Sequence, residues 1–362
     1  MDFAFTEEQD AAGELATQIL TDGSPHERLR ELERSDAPRF DGALWATIAE
    51  AGLLGIALGE SVGGAGLGLL EVARILEAAG RTAAAVPLWE TLGLGALPLA
   101  RFAPPEVQQR WLPGVVDGSV ILTAAWQEDD HGPHTISTSA KRDGEGYRLT
   151  GTKLCVPAGQ LAHAIVVEAM GERGPGLYLV TADAATVVPV ETTAGSPDAH
   201  LELHSAAAEL IGEGFEVLRW SYERAVATQC AVALGNAEAM LELTSAYTKE
   251  RKQFDVPIAT FQAVGHRAAD CYIDTEAIRL TTWQAVSRLA EDLPATVEVS
   301  VAKYWSAFAG QRISLAAAHL HGGVGVDRDY PLARHFTRAK ELELQLGGAT
   351  QHLLRIGGEL AA

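Results

Sequence analysis

The sequence predicts a mainly α-helical protein with a central β domain, because the period of its apolar residues changes twice. Apolar residues recur at helical spacing to about residue 119, alternate as in short strands over 120–212, and return to helical spacing afterwards. The 362 residues are enough for two or three domains with a sizeable core. We therefore expect a helical domain over 1–119, a β domain over 120–212 and a helical bundle over 213–362.

Composition excludes several classes of protein. A formal net charge of -20 argues against binding the phosphate backbone of nucleic acid. The sequence has no run of about 18 apolar residues that could span a membrane, and its first residues lack the features of a signal peptide. Cys155, Cys230 and Cys271 have no metal or redox spacing, and His131 and His134 lack a third ligand at regular spacing. We expect a cytoplasmic protein without a metal, a nucleic acid or a membrane as partner.

Helices joined by glycine and proline are predicted for the N-terminal domain. Thr6, which acidic residues follow, is a typical helix N-cap. Further helices are expected over 69–81 and 88–102 and from Pro105 onward. The segment 59–68 is dense in glycine, so its backbone could approach a ligand closely, or it could be a flexible connector.

The β domain is predicted to begin where the period changes, near residue 120. The run 147–156 alternates as a half-buried strand does, and Asp143-Gly144 before it is typical of a hairpin turn. Short strands continue to about residue 210. We expect a small antiparallel sandwich or barrel.

The most informative stretch is a helix corner from Tyr247 to Gln262. Helical spacing precedes it, Pro257 interrupts the pattern, and a second amphipathic run begins at Phe261. Arg251 would lie on this rigid corner, where its planar guanidinium suits a phosphate or pyrophosphate. A solvated charged helix end is the alternative interpretation.

The corner reads Arg-Lys-Gln-Phe, then Pro-Ile and Phe-Gln, which resembles the signature of the acyl-CoA dehydrogenase family. The resemblance covers essentially the whole chain. It implies an N-terminal helical domain, a middle β-barrel or sandwich and a C-terminal four-helix bundle. It also implies an FAD-dependent enzyme that desaturates an acyl-CoA and passes electrons to an electron-transfer flavoprotein or a similar acceptor. Arg251 would reach the pyrophosphate of a neighbouring subunit's FAD.

A second segment, from Ala318 to Leu332, resembles the same family. Its three glycines let the main chain pass close to a flat or phosphorylated ligand, and a glycine helix cap would explain one of them without a ligand. In the family, a Gln-x-x-Gly-Gly-x-Gly stretch contacts the ADP half of FAD across the dimer interface; His319 stands here where Gln is usual. The resemblance thus implies a cofactor-binding set of Arg251, Phe254, Gln262, His319, Gly322, Gly323 and Gly325.

The residues expected to hold the flavin ring differ from the family pattern. The family's flavin loop reads Thr-Glu-Pro-x-Ala-Gly-Ser-Asp, whereas this chain has Trp126, Glu128, Asp129 and Asp130 in that region. These residues add bulk and negative charge where a reduced flavin would favour hydrogen-bond donors. Pro157 on the second flavin strand cannot donate a backbone hydrogen bond.

The reaction requires a base that removes the α-proton of the thioester while hydride leaves the β-carbon. At the commonest family position, six residues after the lysine of Ala339-Lys340, this chain has Leu346, which cannot accept a proton. A minority of relatives place a Glu before an Arg near the start of the first long C-terminal helix, and Glu223-Arg224 matches that pattern. We therefore predict Glu223 as the catalytic base with Arg224 as a substrate-binding neighbour. The alternative is an ordinary acid in the first helical turn.

The chain thus retains residues that would serve a neighbour's FAD and lacks much of what would serve its own flavin. Some actinobacterial acyl-CoA dehydrogenases are similar: they are heterotetramers in which one subunit type completes the ADP site, often linked to catabolism of steroid side chains. We predict one subunit of such a heterotetramer, with a second acyl-CoA dehydrogenase-like subunit as partner and a bulky acyl-CoA as substrate. Two alternatives stay open, a self-sufficient homotetrameric enzyme that uses Glu223 and a flavin-free structural or interaction protein.

Overall fold

The computed structural model describes residues 5–129 and 136–361, and its elements follow the predicted order of helices, strands and helices. The first helices are α1 (Glu7–Gly23), α2 (His26–Glu33), α3 (Gly42–Glu50), α4 (Leu69–Thr82), α5 (Leu97–Phe102) and α6 (Pro105–Val116). The middle strands are β1 (Leu122–Ala125), β2 (Ser139–Asp143), β3 (Gly146–Val156), β4 (Ala164–Gly171), β5 (Gly174–Thr181), β6 (Thr186–Pro189) and β7 (Ala199–Glu213). The C-terminal elements are α7 (Phe215–Glu250), β8 (Lys252–Gln253), β9 (Val256–Pro257), α8 (Gln262–Ala290), α9 (Thr296–His321), α10 (Leu332–Leu344) and α11 (Ala349–Ala361). The predicted fold class is confirmed.

Local sequence explains several N-terminal boundaries. Thr6 caps α1 as predicted: its hydroxyl accepts from the Gln9 N–H at 3.3 Å, and Gln9 Oε1 accepts from the Thr6 N–H at 3.0 Å. The N–H groups of residues 65–67 donate to carbonyls within 55–58 at 2.8–3.0 Å, so the backbone ties the glycine-dense segment to the preceding turn. The helix expected over 88–102 is present, but Trp89–Ala96 takes a π-helical form.

The middle strands close into a barrel. β4, β2, β3, β7 and β5 are neighbours in that order, β5 pairs back to β4, and β1 and β6 extend β4 and β7. The predicted hairpin joins β2 and β3, with Asp143 opposite Gly146. The expectation of purely antiparallel pairing is wrong, because β1 and β2 each pair with β4 in parallel. Alternation of side chains reports which face is buried and carries no information on strand direction.

The helix, corner and returning helix predicted around Arg251 are confirmed. α7 ends at Glu250, a short hairpin of β8 and β9 and one 3₁₀ turn follow, and α8 begins at Gln262. α9 packs against α8, α10 and α11. Nowhere in the described residues does a helix combine the length and the apolar composition that a membrane span requires.

Two compact units emerge from the contacts of the chain. One comprises Met1–Arg30, Ala73–Ala84 and Val226–Ala362, and the other comprises Glu31–Val72 and Ala85–Ala225. The division of the sequence into domains at 1–119, 120–212 and 213–362 stays a prediction.

A close contact between α4 and α7 within the first unit depends on two glycines and was not predicted from the sequence. A Cβ on Gly80 of α4 would lie 2.0 Å from Val232 O, and a Cβ on Gly235 of α7 would lie 1.9 Å from Glu77 O. Only residues without a side chain allow the two helix backbones to touch in this way.

Candidate cofactor and active site

Arg251 directly follows the last residue of α7. Its N–H donates to Tyr247 O at 2.8 Å, and its carbonyl accepts from the Ile258 N–H at 2.8 Å, so both sides of the corner hold its backbone. Its side chain is exposed, and no carboxylate in the described residues forms an ion pair with it. An exposed guanidinium on a fixed backbone, with no internal acid to neutralise it, suits an external anion.

Phe254 lies in the hairpin that follows Arg251 and is exposed to solvent. Phe254 and Asp255 form the turn with φ of 52° and 65°, a conformation that costs a non-glycine residue about 1 kcal/mol or more. Phe254 is 89% exposed, and its ring lies edge-on to Phe261 at 6.2 Å. Gln262, at the start of α8, is also exposed. Neither Phe254 nor Gln262 contributes to the core.

The three glycines of the second motif are needed for different reasons. Gly322 ends α9 with φ of 61°, which favours glycine. At Gly325 a Cβ would lie 2.3 Å from Ala318 O, so the chain's own backbone excludes a side chain. Gly323 has no positive φ, and a Cβ there would meet nothing within 4 Å. Folding explains two of the glycines, and only Gly323 is left for an external ligand to explain.

Aromatic stacking joins the two motifs, which are far apart in the sequence. Tyr247 of α7 stacks on His321, the last residue of α9, with ring centroids 4.4 Å apart and planes at 25°. The Tyr330 ring lies 5.3 Å from that of His321. His321 is buried with Nδ1 2.8 Å from Ala317 O, and burial lowers the pKa of His321, which keeps the ring neutral at pH 7. This stack is not among the features predicted from the sequence.

We call the surface formed by these motifs the ADP face, and its exposed members are Arg251, Phe254, Gln262, His319, Gly322 and Gly323. The guanidinium and the open glycine backbone suit a phosphate or pyrophosphate, and the amide and imidazole side chains can add hydrogen bonds. These residues fit the ADP half of FAD. Gly325 is buried against α9, and its implied contact with the cofactor stays a prediction.

A buried lysine organises the loop in which a flavin contact was expected. Lys153 of β3 is 0% exposed and donates to Glu128 Oε1 at 2.6 Å. The Glu128 carboxylate also accepts from the N–H groups of Ser137 and Thr138 at 2.6 and 3.1 Å, and from the Ser137 hydroxyl. Burial alone would raise the pKa of Glu128, but these hydrogen bonds outweigh burial and hold the pKa at about 2. The carboxylate is ionised, and its bonding capacity is used within the chain.

Glu168 of β4 completes this group, which we call the Lys153 cluster: Glu128, Ser137, Thr138, Lys153 and Glu168. Burial raises the pKa of Glu168 to about 7, although the charge of Lys153 opposes that shift. Burial also lowers the pKa of Lys153. Below pH 7 the Glu168 carboxyl is therefore mostly protonated and adds little negative charge to the ion pair of Lys153 and Glu128.

The negative charge that Glu128 was predicted to add to this loop is therefore present and is paired with Lys153. Asp129 is exposed, as expected of a loop acid. Asp130, His131 and His134 lie outside the described residues. Within the described residues, no group of three His, Cys, Asp or Glu could hold a metal ion.

Glu223 and Arg224 lie in the third turn of α7, because the helix begins at Phe215. The alternative interpretation of Glu223 as a first-turn acid is wrong, since Glu216 occupies that turn. Glu223 is only 6% exposed, and the guanidinium carbon of Arg224 lies 3.8 Å from the Trp220 ring centroid. A buried carboxyl beside an arginine is compatible with proton transfer and with a structural role.

The bulky residue of the altered loop packs against this helix. Trp126 lies edge-on to Tyr222, with ring centroids 5.8 Å apart. Tyr222 directly precedes Glu223 in the sequence. The added bulk of Trp126 therefore contacts the helix that carries the candidate base.

At the usual position of the base, Leu346 lies in the turn between α10 and α11 with φ of 56°. His352 Nε2 is 2.9 Å from Leu346 O, and buried Lys303 donates to Gln229 Oε1 at 2.7 Å and to the Leu342 carbonyl. These polar side chains stabilise a turn that has no carboxylate. Lys303 is not among the residues predicted from the sequence, although it is the one charged residue in the run 299–310.

Comparison with known proteins agrees with this geometry. The chain matches models of the acyl-CoA dehydrogenase N-terminal domain over residues 6–119 and of the acyl-CoA dehydrogenase C-terminal domain over residues 212–360. It is 42% identical over 375 residues to acyl-CoA dehydrogenase FadE27 of Mycobacterium tuberculosis, an alignment that covers 100% of this chain and 99% of the relative.

Two solved structures are similar over almost their whole length. The ChsE4-ChsE5 complex from Mycobacterium tuberculosis has a TM-score of 0.95 at 43% identity, with 100% of this chain and 99% of that chain covered. The Tcur3481-Tcur3483 steroid acyl-CoA dehydrogenase has a TM-score of 0.93 at 43% identity, with 98% of both chains covered. The chain therefore belongs to the acyl-CoA dehydrogenase family of FAD-dependent oxidoreductases.

Proposed function

We propose that this chain is one subunit of a heteromeric acyl-CoA dehydrogenase and completes the ADP site of a partner subunit's FAD. One contrast carries the proposal: the ADP face is exposed, whereas the flavin-loop carboxylate of Glu128 is closed on Lys153. Polar groups that fold inward cannot also bind a flavin ring. Polar groups that face outward remain available to a cofactor on a neighbouring chain.

The side chains of the ADP face and the open backbone at Gly323 have different roles in this proposal. Arg251 would bind the pyrophosphate through two parallel hydrogen bonds. Gly323 would let the backbone approach the ADP half, and Gln262 and His319 would donate further hydrogen bonds. Phe254 would cover the cofactor with an apolar ring. Bound FAD supplies the hydride acceptor for α,β-desaturation.

The partner would supply the base in this assembly, because Leu346 cannot accept a proton. Exposed apolar residues favour such a partner: Tyr272, Ile273 and Leu280 of α8 are 58% to 64% exposed. Apolar groups at this density on one helix are typical of a protein interface. We propose a second acyl-CoA dehydrogenase-like chain as the occupant.

The similar structures support a choice of substrate. One is a complex of two differently named chains, and the other is described as a steroid enzyme. By this likeness we propose a bulky acyl-CoA, such as a steroid side-chain thioester, as the substrate. An electron-transfer flavoprotein or a similar carrier would accept the electrons.

A homotetramer that uses Glu223 is the second candidate. It is favoured by the burial of Glu223 beside Arg224 on α7, since a base works best where water is excluded. In this version Arg224 would bind the substrate near the reacting carbons. The chain alone would then hold FAD and turn over.

Flavin stoichiometry distinguishes the candidates. The chain is purified alone and after co-expression with a candidate partner, and FAD is measured by visible absorbance. We expect no FAD on the chain alone and about one FAD per pair of unlike chains. About one FAD per chain in the absence of a partner would overturn the heteromeric proposal. No FAD in any assembly would favour the flavin-free alternative.

Substitution of Glu223 tests the base directly. If the partner supplies the base, Glu223→Gln in the heteromer leaves turnover within about threefold of the parent enzyme, because Glu223 is then not the group that accepts the α-proton of the substrate. A loss of about 10²-fold or more, with FAD content unchanged, would assign the base to Glu223. Glu216→Gln, at an exposed position on the same helix, is the matched control.

A further inference from the structure

We call the segment Gly322–Val326, which follows α9, the glycine turn. Few side chains of this segment can fix its position. Gly322 and Gly323 have no side chains, and a Cβ on either would meet nothing within 4 Å. The far end of the turn is held where Gly325 packs against Ala318 O. The near end begins at His321, so the placement of the open backbone depends on that ring.

Groups from α9, from α7 and from the loop before α10 contact His321. Its Nδ1 is 2.8 Å from Ala317 O within α9, its ring stacks on Tyr247 of α7, and Tyr330 lies 5.3 Å away after the glycine turn. Tyr247 also carries the carbonyl that accepts the Arg251 N–H at 2.8 Å. One residue thus contacts both the arginine backbone and the start of the glycine turn.

We infer that the stack of Tyr247, His321 and Tyr330 is a positioning element that holds Arg251 and the glycine turn at one fixed separation. The inference deepens the proposed function, because it rests on the ADP face binding the ADP half of FAD. A pyrophosphate contacted by the guanidinium and an adenosine contacted by the glycine backbone demand a defined spacing between the two. The rings need not touch the cofactor.

The test measures FAD affinity in the assembled enzyme, whether that assembly contains this chain alone or a partner chain as well. Tyr247→Leu removes the ring, whereas Tyr247→Phe keeps the ring and removes the hydroxyl. We expect Tyr247→Leu to weaken FAD binding about tenfold or more, and Tyr247→Phe to bind within about twofold of the parent. Titration of the apo assembly with FAD, followed by flavin fluorescence, gives both affinities at a temperature where all variants are folded.

A purely structural role would lower the melting temperature of Tyr247→Leu and leave the affinity of the folded assembly unchanged, which would overturn the inference. Combination with Arg251→Ala gives a further readout. If the stack acts by placing Arg251, the double variant loses less affinity than the product of the two single losses. If the loss of FAD affinity in the double variant equals the product of the two single losses, the stack does not position Arg251.

The same series separates failure of this inference from failure of the proposed function. If Arg251→Ala binds FAD as tightly as the parent does, the proposal that the ADP face binds FAD is wrong. If Arg251→Ala weakens binding and Tyr247→Leu does not, only the positioning role is wrong. His321→Leu repeats the test from α9 and is expected to match Tyr247→Leu.

Discussion

The ADP face and the Lys153 cluster both combine charged side chains with backbone hydrogen-bonding groups, yet they use them in opposite ways. In the ADP face the basic side chain is exposed and the backbone is uncovered. In the Lys153 cluster the carboxylate of Glu128 meets a buried ammonium and two backbone N–H groups at 2.6–3.1 Å. The difference teaches that internal partners, rather than residue type, decide whether a charge is available to a ligand.

The largest effect is expected when one charge is removed from the Lys153 cluster. Lys153→Met should lower the free energy of unfolding by about 3–5 kcal/mol, because it leaves the Glu128 carboxylate buried without its cation. Urea unfolding at pH 7, followed by circular dichroism, measures the loss. The double variant with Glu128→Gln should lose less than the sum of the two single variants.

An exposed ion pair on the same barrel serves as the control. Arg148 and Asp143 lie 2.7 Å apart with about half of each side chain exposed, and Arg148→Met should cost under about 1 kcal/mol. If Lys153→Met cost no more than Arg148→Met, the cluster would not be the closed internal network described above.

On the ADP face the expected loss concerns binding and not folding. Arg251→Ala should weaken FAD binding by about 1.5–3 kcal/mol, on the order of 10- to 150-fold, because it removes a charge-assisted hydrogen bond. Its melting temperature should match that of the parent. Fluorescence titration gives the affinity, and Arg142→Ala, at an exposed position on β2, is the matched control. Equal affinities for the two variants would contradict the assignment of Arg251.

Substitution of Gly325 should affect folding, whereas substitution of Gly323 in the same motif should affect FAD binding. Gly325→Ala should destabilise the chain by about 1–3 kcal/mol, because its Cβ would lie 2.3 Å from Ala318 O. Gly323→Ala should leave stability within about 1 kcal/mol of the parent, because its Cβ meets nothing in the chain. Gly323→Ala should instead weaken FAD binding. Thermal unfolding and FAD titration of both variants test this, and a Gly323→Ala variant with full FAD affinity would remove Gly323 from the ADP face.

The smallest expected effect is a pH dependence of the Lys153 cluster. The pKa of Glu168 is raised from 4.5 to about 7 in the folded chain, so its contribution to stability is complete below pH 4.5 and is lost as pH rises through 7. Glu168→Gln should therefore gain about 1 kcal/mol relative to the parent between pH 5 and pH 8, after allowance for partial solvation. Melting temperatures at the two pH values measure the gain. The neighbouring exposed variant Glu172→Gln should show no such difference.

Features that depend on residues close together in the chain could be predicted from the sequence. The cap at Thr6, the hairpin at Asp143 and the helix corner around Arg251 are all confirmed. Each depends on a backbone preference or an apolar period that acts over a few residues. The family could be recognised for a related reason, since its signature residues stand together in two short segments.

The sequence by itself therefore determined the fold class, the family and the identity of the arginine and glycine motifs. Only the tertiary structure decided that Lys153 neutralises Glu128, that α9 accounts for Gly325, and that Tyr247 stacks on His321. The partners in each of these contacts come from different elements of the fold or from successive elements that turn back on each other. A linear pattern records which side chains are present, whereas burial and distance, which set their charge and availability, exist only after the chain has folded.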